Sequence, residues 1–143
     1  TNSDSATSTA TRATFSRFDS QGNLVWSIEL DSSSVITDFE ATEDNAILLV
    51  GRTPMVPLGG GLFADNRSLI AKVGLNGNLI FCRTINNNGR ETFTSIVRHP
   101  NPGQGNSPYY ILGLQNEEST FNTYDIVMLY NVNNMGVFSW KYP

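Results

Sequence analysis

The sequence predicts an all-β fold made of repeated antiparallel hairpins. Short apolar segments recur along the chain and are separated by turn sequences rich in Asn and Gly. No window shows the 3.6-residue apolar periodicity of an amphipathic helix, and good helix formers are scarce. One hairpin pattern also occurs three times. Together these features predict strands that follow one another throughout the chain.

Composition places the chain among polar, globular domains with few charged residues. Its 143 residues carry a net charge of −4, and charged residues make up 15%, against about 25% in an average domain. Asn (16), Ser (14) and Thr (13) supply the polarity instead. No basic surface for nucleic acid is predicted. No apolar run is long enough to span a membrane. A single Cys excludes an intrachain disulfide and a multi-cysteine zinc site, and a single His excludes a His-rich metal site.

Two regions are expected. Residues 1–12 are rich in Ser and Thr and lack large apolar side chains, which predicts either a flexible N-terminal segment or a strand donated to a neighbouring chain. Residues 13–143 are predicted to form a single all-β repeat domain. Its ten expected strands cover residues 13–18, 24–30, 35–39, 46–50, 69–75, 79–85, 92–97, 109–114, 126–132 and 137–142. The segments 53–66 and 99–108 are rich in Pro and Gly and predict surface loops, where ligands often bind.

The repeated hairpin has a turn glycine followed four residues later by an aromatic residue. The three pairs are Gly22 and Trp26, Gly77 and Phe81, and Gly136 and Trp140. Glycine supplies the positive φ that such turns need. Because side chains alternate along a strand, each aromatic should lie on the same face of its hairpin and form a layer between packed sheets. The glycines are 55 and 59 residues apart, and the turn before Gly136 is expected to be about two residues longer.

A second hairpin type, with an apolar strand that ends in glycine, lies between these copies at 34–51 and 92–113. If the first type is X and the second is Y, the chain has the order X-Y-X-Y-X. Paired Y and X hairpins have the size of four-stranded propeller blades. The chain is therefore predicted to contain about two and a half propeller-like units. Closed propellers need about 4–8 blades, so this chain alone is not expected to close a ring.

The repeat resembles the blades of secreted β-propeller-type repeat proteins of Bacteroidota-like bacteria, which are similar to the blades of quinoprotein propellers. The matching residues are Arg17, Asp19, Gly22 and Trp26 in the first copy, Lys72, Gly77 and Phe81 in the second, and Asp125, Gly136 and Trp140 in the third. The second copy departs from the pattern, with Gly74 in place of the usual Asp. The resemblance implies a secreted or cell-surface protein.

Catalytic chemistry is not predicted. Cys82 follows an aromatic within a predicted strand and is expected to be a small packed residue, and His99 is expected to be a surface residue. We predict no catalytic, cofactor-binding or metal-binding residues. Ser5 lies in a triplet resembling the O-glycosylation motif of Bacteroidota, and Asn66 lies in an N-glycosylation triplet. Both are candidate modification sites.

The favoured function is a non-enzymatic extracellular or cell-surface module for adhesion or assembly. Its unclosed sheets predict pairing of strand edges, either with other copies in a filament or with other β-rich chains. Two alternatives are a fragment of a larger propeller enzyme and a carbohydrate-binding module. The second would bind a glycan through the 53–66 and 99–108 loops or through exposed aromatics such as Tyr109, Tyr110 and Tyr142.

Overall fold

A computed structural model describes residues 13–30, 34–53, 56–59, 62–64, 67–85, 90–100, 108–118 and 123–143. All regular structure in these ranges is β-strand. The twelve strands are β1 (Thr14–Phe18), β2 (Leu24–Glu29), β3 (Val35–Ala41), β4 (Ala46–Arg52), β5 (Val56–Gly59), β6 (Leu62–Ala64), β7 (Ser68–Gly74), β8 (Leu79–Ile85), β9 (Arg90–Arg98), β10 (Tyr109–Glu118), β11 (Thr123–Val132) and β12 (Phe138–Tyr142). Among these residues, no helix long and apolar enough to cross a membrane is present.

The strands form a series of antiparallel units in chain order. Unit 1 is the hairpin β1–β2, unit 2 is the sheet β3-β4-β7-β8, and unit 3 is the sheet β9-β10-β11-β12. None of these sheets closes on itself within the described residues. The prediction of an all-β fold with about two and a half four-stranded, propeller-like units that the chain does not close is confirmed.

The segment between β4 and β7 differs from the prediction. Residues 53–66 were expected to be a loop without strands, but β5 and β6 pair there as a short separate hairpin. Its Pro and Gly residues favour turns, yet Val56, Leu58, Leu62 and Phe63 supply residues with strand propensity. The remaining ten strands follow the predicted X-Y-X-Y-X order.

Unit 2 is the centre of the stack. Strands β4 and β7 are its two inner strands, and every residue of β7 is buried. A strand covered on both faces is expected to be continuously apolar rather than alternating. This accounts for the uninterrupted apolar sequences 47–50 and 69–71. The middle sheet therefore carries the core of the described chain.

Two apolar clusters pack against opposite faces of unit 2. The first joins unit 2 to unit 3 and consists of Leu48, Val50, Ile70, Phe93, Ile96, Tyr109, Ile111, Met128, Tyr130 and Val132, with Phe81, Ile85, Ile126 and Phe138 at its margin. The second joins unit 2 to unit 1 and consists of Leu30, Leu49, Leu69, Ala71 and Val73, with Ala13, Phe15, Trp26, Ile28, Ile36 and Ile47 at its margin. Rings of Phe93 and Tyr130 meet edge to face, with centroids 5.2 Å apart. Stacking of successive units thus buries both faces of the middle sheet.

The glycine at the end of β4 is required by close packing. A Cβ built at Gly51 would lie 2.0 Å from the carbonyl oxygen of Val35. Strand β3 has a register shift between Ile36 and Asp38, which brings its backbone close to β4. A second shift lies in the equivalent position of unit 3, beside Gly113. The bulge in the neighbouring strand thus explains Gly51, whereas a Cβ built at Gly113 would meet the side chains of Glu91 and Tyr130 instead.

Equivalent positions in units 2 and 3 allow a matched test of core packing. Ile70 is fully buried between units 2 and 3, whereas Leu129 occupies the same place in unit 3 and is 39% exposed. Ile70→Ala is expected to lower the free energy of unfolding by about 2–5 kcal/mol because it leaves a cavity. Leu129→Ala should cost much less. Urea unfolding followed by tryptophan fluorescence measures both, and equal losses would contradict this packing.

Candidate interaction surfaces

The three X hairpins share one turn geometry. In each turn the glycine N–H donates to the carbonyl of the residue three positions earlier, at 3.1 Å for Gly22, 2.9 Å for Gly77 and 3.0 Å for Gly136. The three glycines have φ values of 87°, 85° and 70°. A register shift follows at the same place in every copy, as in a type I turn with a glycine bulge.

The turn before Gly136 is therefore not longer than the others, and that prediction was wrong. The difference between the 55-residue and 59-residue spacings lies elsewhere. Strands β3 and β4 are joined by a short turn that Thr42 and Ala46 close with a backbone hydrogen bond, whereas the equivalent closure in unit 3 joins His99 and Pro108. Relative to unit 2, unit 3 has five more residues in this connection between β9 and β10 and two more between the preceding turn glycine and the Y hairpin. Three fewer residues between β10 and β11 offset part of this difference.

Side chains stabilise two of the three turns from within. The carboxylate of Asp19 accepts hydrogen bonds from the backbone N–H of Gln21 at 2.9 Å and of Asn23 at 2.8 Å. The amide oxygen of Asn133 accepts the equivalent pair in unit 3. The side-chain and backbone hydrogen bonds from Asn23 hold the pKa of Asp19 below its ordinary value. Unit 2 lacks this interaction because it has Gly74 at the same position.

The aromatics of units 1 and 2 each lie against the turn glycine of the next unit. A Cβ built at Gly77 would be 2.9 Å from the Trp26 ring, and one built at Gly136 would be 2.8 Å from the Phe81 ring. The indole N–H of Trp26 also donates to the carbonyl of Leu75 at 2.7 Å. These turns need glycine for two reasons, namely the positive φ and the ring that occupies the space of a Cβ. We call this contact aromatic–glycine docking.

A cationic side chain accompanies each docked aromatic. Arg17 lies opposite Trp26 in the sheet and donates to the same Leu75 carbonyl at 2.7 Å. In unit 2, Lys72 donates to the carbonyl of Asn134 at 2.8 Å, which is the equivalent position in the third turn. Both carbonyls lie two residues before the turn glycine. The turn of one unit is thus held by two side chains of the preceding unit.

Lys72 is a buried cation, with 1% of its side chain exposed. Its ammonium group pairs with the carboxylate of Asp44 at 2.6 Å in addition to Asn134. Lys72, together with a hydrogen bond from Thr42, holds the pKa of Asp44 below its ordinary value. The sequence pattern aligned Lys72 with Arg17 but did not indicate its burial or its acidic partner.

The face of unit 3 that points away from unit 2 is an exposed apolar surface, here called the open face. Six of its residues are between 39% and 62% exposed, namely Val97, Leu112, Leu114, Val127, Leu129 and Tyr142. They are cross-strand neighbours, because Leu112 pairs with Leu129 and Leu129 pairs with Tyr142. Nothing in the described part of the chain covers this surface. A contiguous apolar patch of this kind is typical of an interaction site.

The open face is more apolar than the equivalent face of unit 2, which unit 3 covers. Register places Leu114, Val127 and Tyr142 where unit 2 has Arg52, Ser68 and Arg83. Terminal units of stacked-repeat proteins normally have a polar outer face. Unit 3 has the opposite character.

The outer face of unit 1 is mixed. Thr14, Ser16 and Phe18 occupy the positions at which unit 2 has the buried residues Leu69, Ala71 and Val73. The hydroxyl groups of Ser16 and Ser27 form a hydrogen bond of 2.9 Å. Near the turn the surface is apolar, with Phe18 and Leu24 each 58% exposed. A Cβ built at Gly22 would have no described atom within 4 Å beyond its chain neighbours.

The other candidate residues are not brought into one site. Cys82 is exposed, so the expectation that it is packed was wrong; it lies on β8, an edge strand whose surface is mostly solvent-accessible. His99 is half-buried, with its ring centroid 5.4 Å from that of Tyr110. Tyr109 is fully buried, which removes it as a glycan-contacting residue and raises the pKa of its hydroxyl. Ser5 and Asn66 lie outside the described residues.

One buried polar pair was not predicted. Glu91 is 1% exposed and accepts a hydrogen bond from the hydroxyl of Tyr130. A Cβ built at Gly113 would lie 3.2 Å from the Glu91 carboxylate, so the glycine leaves room for it. The surrounding polar sequence gave no indication that Glu91 is buried. Within the described ranges, no group of three or more His, Cys, Asp or Glu residues is arranged to hold a metal ion.

No protein-family model matches the chain, and no curated protein matches its sequence.

The contribution of aromatic–glycine docking to stability can be measured by substituting two of the turn glycines. Gly22→Ala and Gly77→Ala both place an L-residue at positive φ, which costs about 1–2 kcal/mol. Gly77→Ala also forces the new methyl group against the Trp26 ring, and overpacking of this kind costs about 1–3 kcal/mol more. We expect Gly77→Ala to lower the urea midpoint further than Gly22→Ala. Equal midpoints would show that the ring does not restrain the turn.

The Asp44–Lys72 pair makes stability depend on pH. A carboxyl whose pKa is lower in the folded state stabilises it above the ordinary pKa of 3.8 and loses this effect as pH falls through the folded-state value. The difference in unfolding free energy between the wild-type chain and Asp44→Asn should be largest near neutral pH and shrink below pH 3.8. A difference that stays constant through acid would contradict the ion pair.

Proposed function

We propose that the chain is a non-enzymatic structural or binding module that associates with further β-rich units through its open surfaces. The observation that carries this proposal is the open face of unit 3. It is apolar across four strands, and it has the same register as the face of unit 2 that unit 3 covers. Burial of such a surface is favourable at about 25 cal/mol per Å² of apolar area.

Two further features support an assembly role. Strands β8 and β12 are edges of their sheets, and an edge presents backbone N–H and C=O groups to another strand. The chain as a whole is also polar with few charged residues, so charge repulsion between copies is weak. We place this activity outside the cell or at the cell surface, in adhesion or in a larger polymer, as the resemblance to secreted propeller-type repeats implies.

A second candidate is a segment of a larger propeller protein, including a propeller enzyme with its catalytic residues elsewhere. The same open face favours it, because a fourth unit with an inner face like that of unit 3 would cover the patch. The two candidates differ in the source of the covering sheet. For the first it comes from a separate chain, and for the second from the same polypeptide.

Association of the chain through the open face can be tested with a single charged substitution. Leu112 lies near the centre of this face, and Leu112→Glu places a carboxylate there. Sedimentation velocity should show concentration-dependent self-association of the wild-type chain and its loss in Leu112→Glu. Ala41→Glu, at an exposed position on β3 and away from the open face, is the control and should associate like the wild type. A wild-type chain that stays monomeric at all concentrations would contradict self-assembly.

A further inference from the structure

The second X turn differs from the other two in the residue before its glycine. That residue is Asn76, whereas Gln21 and Met135 precede the glycines of the first and third turns. An Asn followed by Gly is the pair most prone to spontaneous deamidation, because glycine has no side chain to hinder its backbone nitrogen. Asn76 is also exposed, so water reaches its carboxamide.

Deamidation requires a ring to form between these two adjacent residues. The backbone nitrogen of Gly77 loses its proton and attacks Cγ of Asn76. The C–N bond of the carboxamide then breaks, and the nitrogen leaves as ammonia with that proton. The resulting succinimide takes up one water molecule and opens to aspartate or isoaspartate. The reaction therefore depends on how easily the Gly77 nitrogen can approach the Asn76 side chain.

Both reacting groups have other partners in the closed turn. The N–H of Gly77 donates to the carbonyl of Gly74 at 2.9 Å. The carboxamide oxygen of Asn76 accepts a hydrogen bond from the N–H of Asn78 at 3.4 Å. The same oxygen would be 2.8 Å from a Cβ built at Gly74. The turn must therefore open before the ring can form.

Unit 1 restrains the opening of this turn. The carbonyl of Leu75, which belongs to the peptide bond before Asn76, accepts hydrogen bonds from the indole of Trp26 and the guanidinium of Arg17, each at 2.7 Å. The Trp26 ring also fills the space beside Gly77. Movement of Asn76 against Gly77 has to displace these contacts. Docking of unit 1 thus opposes the reaction.

We propose that Asn76 is a deamidation site whose reactivity is controlled by the docking of unit 1. The reaction occurs in molecules in which unit 1 has moved away from the turn, so its rate follows the population of that locally opened state. Isoaspartate adds a methylene group to the backbone of the turn, which then no longer matches the Trp26 ring. The modification is therefore a permanent record of undocking. It does not depend on the proposed self-association.

Two conservative variants loosen the turn. Trp26→Phe keeps a docking ring, as unit 2 does with Phe81, but removes the hydrogen bond to Leu75. Loss of one hydrogen bond should raise the undocked population, and with it the rate of deamidation at Asn76, by about two- to tenfold. Arg17→Met removes the second donor to the same carbonyl and should act in the same direction.

Ser27→Ala is the matched control. Ser27 lies next to Trp26 on the same strand, and its hydroxyl group forms an exposed hydrogen bond of 2.9 Å with Ser16. This variant also loses one hydrogen bond of unit 1, but none to the turn, so it should deamidate like the wild type. Circular dichroism melts confirm that each variant is folded.

The rate is measured on the folded chain at mildly alkaline pH. Mass spectrometry follows the tryptic peptide 73–83, and labelling by an isoaspartyl methyltransferase detects isoaspartate. This peptide also contains Asn78, which precedes Leu79 and should stay unmodified. The other Asn-Gly pair, at 88–89, lies outside the described residues and in a different tryptic peptide.

The chain unfolded in urea gives the rate without docking, and the folded wild type should react more slowly. Equal rates at Asn76 in the wild type and in Trp26→Phe would overturn the proposal. An equal increase in Ser27→Ala would also overturn it, because general loss of stability and not the turn contact would then control the reaction. A faster rate in Trp26→Phe and Arg17→Met alone supports it.

Discussion

The contact between an aromatic ring and the turn glycine of the next unit organises the whole arrangement. Hydrogen bonds within a hairpin fix each unit, but they do not determine how one unit is placed on another. The ring of Trp26 fits against the Gly77 turn, and its indole N–H bonds a carbonyl of that turn. One side chain therefore sets both the distance and the direction of stacking. The apolar clusters then fill the space that this contact defines.

Much of the fold could be predicted because it depends on local sequence. Positive φ and strand alternation require particular residues at fixed spacing, so Gly22, Gly77 and Gly136 identified the hairpins correctly. The strands at the continuous apolar residues of β4 and β7 were also predicted, and the structure shows that both strands are buried. Features that depend on strand order within a sheet or on the stacking of units were harder to predict.

Three particular residues show this limit. Cys82 lies in an apolar-looking segment but belongs to an outer strand, and position in the sheet decided its exposure. Lys72 resembles a surface lysine in sequence, whereas the turn of unit 3 buries it. Glu91 follows the polar sequence 86–90 and is nevertheless enclosed with Tyr130. The burial of Lys72 depends on a contact between units, whereas the outcomes for Cys82 and Glu91 depend on strand order within a sheet. Single-strand patterns contain no information about either.

The burial of Lys72 has a consequence for how the molecule unfolds. Its ammonium group bridges Asp44 of unit 2 and the backbone of Asn134 in unit 3. If unit 3 separated alone, the charge would lose one partner and part of its enclosure, and loss of a partner of a buried ion is costly. The corresponding cation at the boundary between units 1 and 2 is Arg17, and it is exposed. Units 2 and 3 are therefore coupled into one cooperative block, while unit 1 can open from its edge at lower cost.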